Sequence, residues 1–576
     1  MAVLVGAFSL LARESLPPNL YSSLSRALSL SAWDSIDFHR SDTLCLLKKH
    51  EPGKGTGFTR FPDGSMVVSV GYLLPDFGNE NIESEAAFLL SAVRSPDAEK
   101  LKAVRGDFAS VCWDAPAQRL HLITDKIGVR PLFFFADSQK VIFATTLNLL
   151  EKIDAVQKVM SFRAVTEQAV FGLPLGDRTP YHDIHVLRSG ERIEADSHGL
   201  RRSFYWRWDS LPLFKGTQEE WITGAHAAFK SAIRLRVGED REVFALLSGG
   251  LDSRMVITAL REDGVKVNSF NFSPRGTQDQ VYGEAFGQAV GANHRTITLA
   301  EGSVPNQPLQ LSQALRSGDI QLNEPIAHPH WLFGGSGGST AFGGVAFSEK
   351  LFETFRAGKT REGFELYLRN MNLKVLKRLY SAEAFGHIEN ILVDSMTEQF
   401  NDLKSEDPAR NFILVLMLND QRRHFHRPME AVDAHGVQFH APFFDSFFLE
   451  YILSFPADWC LYHQLYHAWM EKFDPVARSV PWQVYPGHLP CPVKPEKEVP
   501  TQWAQSGLYR LKDKHELQQA ARTILKSKPS PTFLNLNYLR YISLRFRLGA
   551  DVAYAIEAAR FYFDIWLKSD KKHVWK

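Results

Sequence analysis

The sequence predicts an α/β protein made of two unlike halves, and three observations carry that reading. Short alternating runs of β-branched and aromatic residues, separated by turn formers, fill roughly the first 200 residues. From about Thr217, continuous apolar strands alternate with amphipathic helices. From about Arg361 the pattern is mainly helical. The first half is therefore expected to be packed sheets with a few helices. The second is expected to be a parallel sheet covered on both faces, with a helical C-terminal part.

Taken in order, residues 65–70, 109–113 and 120–124 read as strands, because apolar and β-branched side chains recur there with a period of two. Turn formers at 62–64, 114–116 and 127–131 separate them, and residues 83–93 have helical spacing. The polar-turn segment at 209–217 marks a boundary, giving domains 1–212 and 213–576. Beyond it, Trp221, Ala225, Phe229, Ala232 and Leu235 put one apolar face on a helix over 219–237. A strand at 243–247, a glycine turn and a helix at 255–261 follow, then a strand at 267–272 and a helix at 280–290. Helices are expected at 412–420 and 447–453, with a Pro- and Lys-rich loop at 481–500.

Composition narrows the function classes. The 576 residues are 44% hydrophobic and 23% charged, with 66 Lys+Arg against 65 Asp+Glu, a formal net charge of +1. That balance speaks against a nucleic-acid-coating protein. The cysteines Cys45, Cys112, Cys460 and Cys491 are scattered without a CxxC pair, so neither a disulfide framework nor a cysteine zinc site is expected, and a reducing compartment fits. The N-terminus lacks a basic stretch and a cleavage site, and no run reaches the roughly 18 apolar residues a membrane span needs. A cytoplasmic enzyme without nucleic-acid or membrane partners is expected.

The informative segment is FALLSGGLDS at 244–253. A strand ends, Ser248-Gly249-Gly250 turns, and a helix begins near Asp252-Ser253. Small residues let backbone N–H groups converge, and the helix N-terminus adds its positive dipole end, which suits a phosphate or pyrophosphate. Ser248 and Ser253 can donate hydroxyl hydrogen bonds, while Asp252 can hold Mg²⁺ against the same phosphates. No Gly-Lys-Ser/Thr follows, so this is not a Walker A loop.

SGGLDS resembles the pyrophosphate-binding loop of ATP pyrophosphatases, and its surroundings resemble asparagine synthetase and its relatives. The N-terminal strings RGDFA at 105–109, CWD at 112–114, DKIGVRPL at 125–132, IFAT at 142–145 and FYW at 204–206 resemble that family's glutaminase-type, Ntn-type sandwich domain. FNF at 270–272, TQD at 277–279, His294, NEPI at 323–326 and HGVQFHAPFFD at 435–445 continue the resemblance. It implies ATP and Mg²⁺ as cofactors. Leu246, Ser248, Gly249, Gly250, Leu251, Asp252 and Ser253 would bind pyrophosphate and nucleotide, and Phe270 and Phe272 would flank the adenosine. Family members activate a carboxylate as an acyl-adenylate, which an amine then attacks.

The departures are as informative as the matches. The family's glutaminase needs an N-terminal cysteine nucleophile, and Ala2 stands at that position, so a silent glutaminase-like domain is expected. The family's second loop carries an acidic pair after a Gly-rich turn. The stretch around Gly343 and Gly344 is taken as its equivalent, with Glu349 as the remaining acid. Glu349 either completes a metal site with Asp252 or heads a helix on a solvated face. Gln438 stands where many relatives have a glutamate base, and Tyr485 or Lys494 falls near a missing lysine. His294 is either a pocket or a structural residue. The basic cluster Arg422, Arg423, His424, His426 and Arg427 is expected on a solvated or salt-bridged surface, and His328 and His330 lack a third zinc ligand.

These features predict an ATP-dependent, AMP-forming ligase of the kind that uses an amine already on its substrate, as β-lactam synthetases and lasso-peptide macrolactam synthetases do. The partner would be a small molecule or peptide carrying a carboxylate and an amine, together with a precursor-processing protease in the lasso-type case. The alternatives are an ammonia-using asparagine synthetase and a non-catalytic nucleotide-binding scaffold.

Overall fold

The computed structural model describes residues 3–11, 14–28, 35–50, 58–74, 84–95, 99–298, 331–343, 347–369, 377–388, 390–426, 429, 438–485, 487–501, 510–550 and 552–575. Ala2, Gly344, Arg427, the 323–326 and 435–437 stretches, His328 and His330 lie outside them.

Two antiparallel sheets of six strands each form the first part. One is centred on Val3–Ser9, flanked by Leu44–His50 and Lys140–Ala144; the other is centred on Arg105–Asp114 and Arg119–Thr124. The strands at 66–74, 105–114 and 119–124 match the expected pattern. Leu4, Phe8 and Leu46 of one sheet pack against Val68, Val111 and Leu122 of the other, which makes the sandwich core.

The second part holds a five-stranded parallel sheet in the order Asn293–Thr298, Lys266–Ser273, Glu242–Leu246, Trp331–Phe333, Gln438–His440. Gln218–Val237 opens this part under a capping box, Thr217 with Glu220, and buries Trp221, Phe229 and Ile233. Together with Leu251–Glu262 it covers the sheet, and the core joins Phe244, Met255 and Leu332 to Phe412, Phe448 and Trp469.

Two expectations need correction. The last helices, Arg510–Lys526, Leu536–Arg547 and Ala553–Lys568, do not extend the parallel-sheet core. They bury Leu517, Ile542, Ile556 and Tyr562 with Val5, Leu47 and Phe135 of the first sheet and with Phe162 of the helix Phe162–Phe171, and His573–Val574 pairs with Met160–Ser161. The basic cluster is a salt-bridged surface only at His424, which is exposed beside Asp420, whereas Arg422, Arg423 and His426 are buried. Arg422 donates to the carbonyls of Leu187 and Gly176 at 2.8 and 2.9 Å, and Arg423 donates to that of Arg178 at 2.8 Å, tying the two parts together. A helical wheel cannot reveal this, because the acceptors are backbone carbonyls more than 200 residues away. A buried ion triad completes the junction, with Asp445 accepting from Arg105 and Arg236 at 2.8 Å each.

Candidate functional site

Glu242–Leu246 is the central strand of the parallel sheet. The chain next adds Lys266–Ser273 on one side and later Trp331–Phe333 on the other. Connections leaving in opposite directions open a crevice beyond the strand ends, where ligands bind in open α/β sheets. The SGGLDS turn sits at that crevice.

Its own hydroxyls build the turn. Ser248 N–H donates to Ser253 Oγ at 3.0 Å, the two hydroxyls lie 3.1 Å apart, and Gly250 N–H donates to Ser248 Oγ at 3.2 Å. Gly249 N–H donates to Asp279 Oδ1 at 3.1 Å, and a Cβ on Gly249 would lie 2.4 Å from the Gln278 carbonyl oxygen, so only glycine fits. The helix Leu251–Glu262 begins at Gly250 without a side-chain cap, leaving its first turn open on the crevice.

A second glycine turn faces the first. Gly334, Gly335, Ser336, Gly337 and Gly338 follow Trp331–Phe333 and lead to Ser339. A Cβ on Gly335 would lie 2.1 Å from Ser253 N, and one on Gly338 would lie 2.7 Å from Asp252 Cγ. Ser339 donates its N–H to Asp252 Oδ2 at 3.0 Å and its hydroxyl to Oδ1 at 2.9 Å. Burial raises the Asp252 carboxyl above the usual range, although the Ser339 donors and the facing Tyr466 hydroxyl pull the other way.

The third wall is the 481–500 loop. Gln483 N–H donates to the Gly249 carbonyl at 3.1 Å, and the buried Arg254 donates to the carbonyls of Ala477, Val480 and Pro481 at 3.1, 2.9 and 2.8 Å. Trp482, Tyr485 and His488 thereby face the crevice together with His463 and His467. The half-open cleft has a volume of about 330 Å³, room for a small ligand.

Leu246, Ser248, Gly250, Leu251, Asp252, Ser253, Phe270 and Phe272 line this cleft, and Gly249 braces the turn from behind. Glu349 does not join them: it heads the helix Glu349–Arg356, exposed, and accepts from the Tyr462 hydroxyl at 2.8 Å. Gly343 packs behind the cleft, where a Cβ would lie 2.5 Å from Cys460 Sγ. Gln438 pairs with Trp331 on the edge strand, outside the lining. Tyr485 lines the cleft, whereas Lys494 is exposed away from it. His294 lies outside, its Nδ1 2.8 Å from Ser269 Oγ.

The reading from sequence passed over the turn at 334–339, although it shows the same signal as SGGLDS: small residues straight after an apolar strand. It named Asp279 only within the TQD string, and it passed over the i,i+4 pair His463 and His467, and His488, which had no local signal.

The resemblance implies Mg²⁺, and the donor set tests that implication. Magnesium is usually held by one or two carboxylates plus phosphate oxygens. Asp252 already commits both oxygens to Ser339, and Asp279 accepts from Gly249. The residues after Gly337-Gly338 in the facing turn are Ser339 and Thr340, not acids. Among the described residues no three His, Cys, Asp or Glu side chains converge as a metal set. The described residues therefore do not by themselves form a resident magnesium site.

Comparison with known proteins follows the same division. Residues 79–206 match a glutamine amidotransferase domain, and residues 224–467 match asparagine synthase. Asparagine synthetase (glutamine-hydrolyzing) 1 of Bacillus subtilis is 21% identical over 333 residues, covering 55% of this chain and 49% of that protein. The asparagine synthetase (glutamine-hydrolyzing) of Cricetulus griseus is 23% identical over 364 residues, covering 61% and 56%. The chain thus spans about half the length of these curated relatives. Among solved structures, the glutamine phosphoribosylpyrophosphate amidotransferase of B. subtilis aligns at 10% identity over 64% of this chain and 79% of that one, with a TM-score of only 0.24.

Proposed function

We propose, from the premise that this chain belongs to the asparagine synthetase superfamily, that it is an ATP-dependent amidoligase. The observation carrying this reading is the SGGLDS turn, held open at the sheet's switch point with Phe270 and Phe272 beside it. Nucleotide phosphates would lie against the first turn of Leu251–Glu262, and the base against the two phenylalanines. A substrate carboxylate oxygen bonds to the α-phosphorus as the bond to the β-phosphoryl oxygen breaks and pyrophosphate leaves. The amine nitrogen then bonds to the acyl carbon, AMP leaves, and the amine's proton passes to water. The chain's contribution is alignment and charge stabilisation, since Gln438 offers no carboxylate base and stands outside the cleft.

The amine comes from the substrate, as in a peptide-directed or intramolecular ligation. In the first domain Cys45 and Cys112 are both buried. Burial pushes the Cys45 thiol up to about 12 and the Cys112 thiol higher still, which removes both as nucleophiles. The test is AMP release from ATP with carboxylate and amine panels, including aspartate with ammonium and candidate peptides, plus hydroxylamine to trap an acyl-adenylate. Equal release of AMP and pyrophosphate together with a hydroxamate is expected.

The Ser339–Asp252 pairing favours a second reading, a nucleotide-binding domain without ligase activity. ATP binding with no AMP or hydroxamate from any panel would select it.

A further inference from the structure

The described lining of the cleft lacks the cations that a polyphosphate site ordinarily has. Among its described lining residues there is no lysine or arginine. Arg254, one position beyond Ser253, is taken up by three backbone carbonyls. Asp252 and Asp279 add negative charge, and the described residues do not by themselves form a resident magnesium site. Three imidazoles stand in this lining, those of His463, His467 and His488.

They form one wall. The rings of His463 and His488 stack at 4.5 Å with an interplanar angle of 27°, and His463 and His467 lie 5.8 Å apart at 83°. His463 is only 2% exposed, and its Nε2 has no hydrogen-bond partner among the described residues. Its backbone is left-handed, with φ 65°, directly after Tyr462 at φ 59°. A buried, unpartnered imidazole on strained backbone beside a cleft is costly unless a ligand completes it. Stacked rings do not aim their nitrogens at one point, which disfavours a transition-metal site.

We propose that His463, His467 and His488 form a metal-independent subsite for the polyphosphate of a nucleotide, the neutral His463 offering Nε2 as a hydrogen-bond donor and the partly exposed His467 and His488 supplying the missing positive charge by protonation on binding. This rests on the reading of the cleft as a nucleotide site and adds the residues that balance the anion. Burial and the two neighbouring imidazoles hold His463 at about 2, and burial with His488 lowers His467 against the opposing pull of Glu471. The other groups facing the wall are Tyr466 and Tyr485, both raised by burial, and the carboxylates Asp252 and Asp279. An anion entering beside the imidazoles favours the charged forms of His467 and His488, so binding takes up protons.

Calorimetric titration of the full chain with inorganic pyrophosphate, ATP and AMP, in EDTA and in excess Mg²⁺, near pH 6 and pH 8, tests this. Pyrophosphate and ATP should bind in EDTA, about ten-fold tighter at the lower pH, with proton uptake and little change on adding Mg²⁺. The partly exposed pair His467→Gln and His488→Gln should together lose about ten-fold in pyrophosphate affinity while AMP binds as before, which also shows that the variant folds. Pyrophosphate binding that needs Mg²⁺, is flat with pH or survives the double substitution overturns the inference. So does Zn²⁺ binding by the wild type that is lost with the histidines. If neither ATP nor AMP binds under any condition, the nucleotide reading itself fails.

Discussion

Replacing Ser339 by aspartate would put a second carboxylate where a hydroxyl now donates to Asp252 at 2.9 Å. The hydroxyl bond is lost, at about 1 kcal/mol or more, and two like charges face each other. Unit charges about 4 Å apart at an effective dielectric near 20 repel by about 4 kcal/mol, and the half-open cleft trims this to about 2–4 kcal/mol. The sign with pH is fixed by linkage. Mutual repulsion and burial raise the pair's folded pKa above the unfolded value near 3.9, so the native state binds more protons. Ser339→Asp should therefore cost little below about pH 4 and increasingly more as pH rises through the raised folded pKa. Magnesium should reverse the loss, because two adjacent free carboxylates are what that ion needs. Thermal unfolding at several pH values, with EDTA or with Mg²⁺, measures both effects. If the wild type is stabilised by Mg²⁺ as much as Ser339→Asp is, or if the variant melts like the wild type at neutral pH, then Ser339 has not displaced a metal-binding acid.

Three further outcomes follow from the geometry. Gly335→Ala places a Cβ 2.1 Å from the Ser253 backbone nitrogen; it should cost about 1–3 kcal/mol and abolish ATP binding, read by denaturant unfolding and calorimetry. Asp445→Asn leaves Arg105 and Arg236 buried without their anion and should cost about 3–5 kcal/mol. Burial alone would raise the Asp445 carboxyl, but the Arg236 and Arg105 guanidiniums win and hold it below its ordinary value. Its contribution is thus complete above the unfolded pKa and fades as pH falls through the folded one, so the wild type and variant melting curves should converge in acid. Finally, iodoacetamide on the native protein should modify Cys491 and spare the buried Cys45, Cys112 and Cys460, as peptide mass mapping would show.

Several elements were legible in the sequence because their determinants are local. The 218–237 helix announces itself by the spacing of Trp221, Ala225 and Phe229, and the strand–turn–helix around SGGLDS by an apolar run cut by small residues. The turn at 334–339 carries an equally local signal, whereas Glu349, the acid after Gly343 and Gly344, heads a helix that faces solvent. His463 and His488 could not be paired in advance, since they stack only when the 481–500 loop folds back onto the 463–467 segment. The same holds for Arg422 and Arg423, whose acceptors lie in the other half of the chain.

By itself the sequence determined the two textures and the small-residue SGGLDS turn, because periodicity and small-residue strings need no partner to be read. The tertiary structure decided which groups share the cleft. It brought Ser339 rather than Glu349 to Asp252, assembled three histidines where no lysine or arginine stands among the described lining residues, and packed the last helices against the first sheet. Those outcomes depend on contacts between residues tens to hundreds of positions apart, and only the packed chain specifies which of them meet.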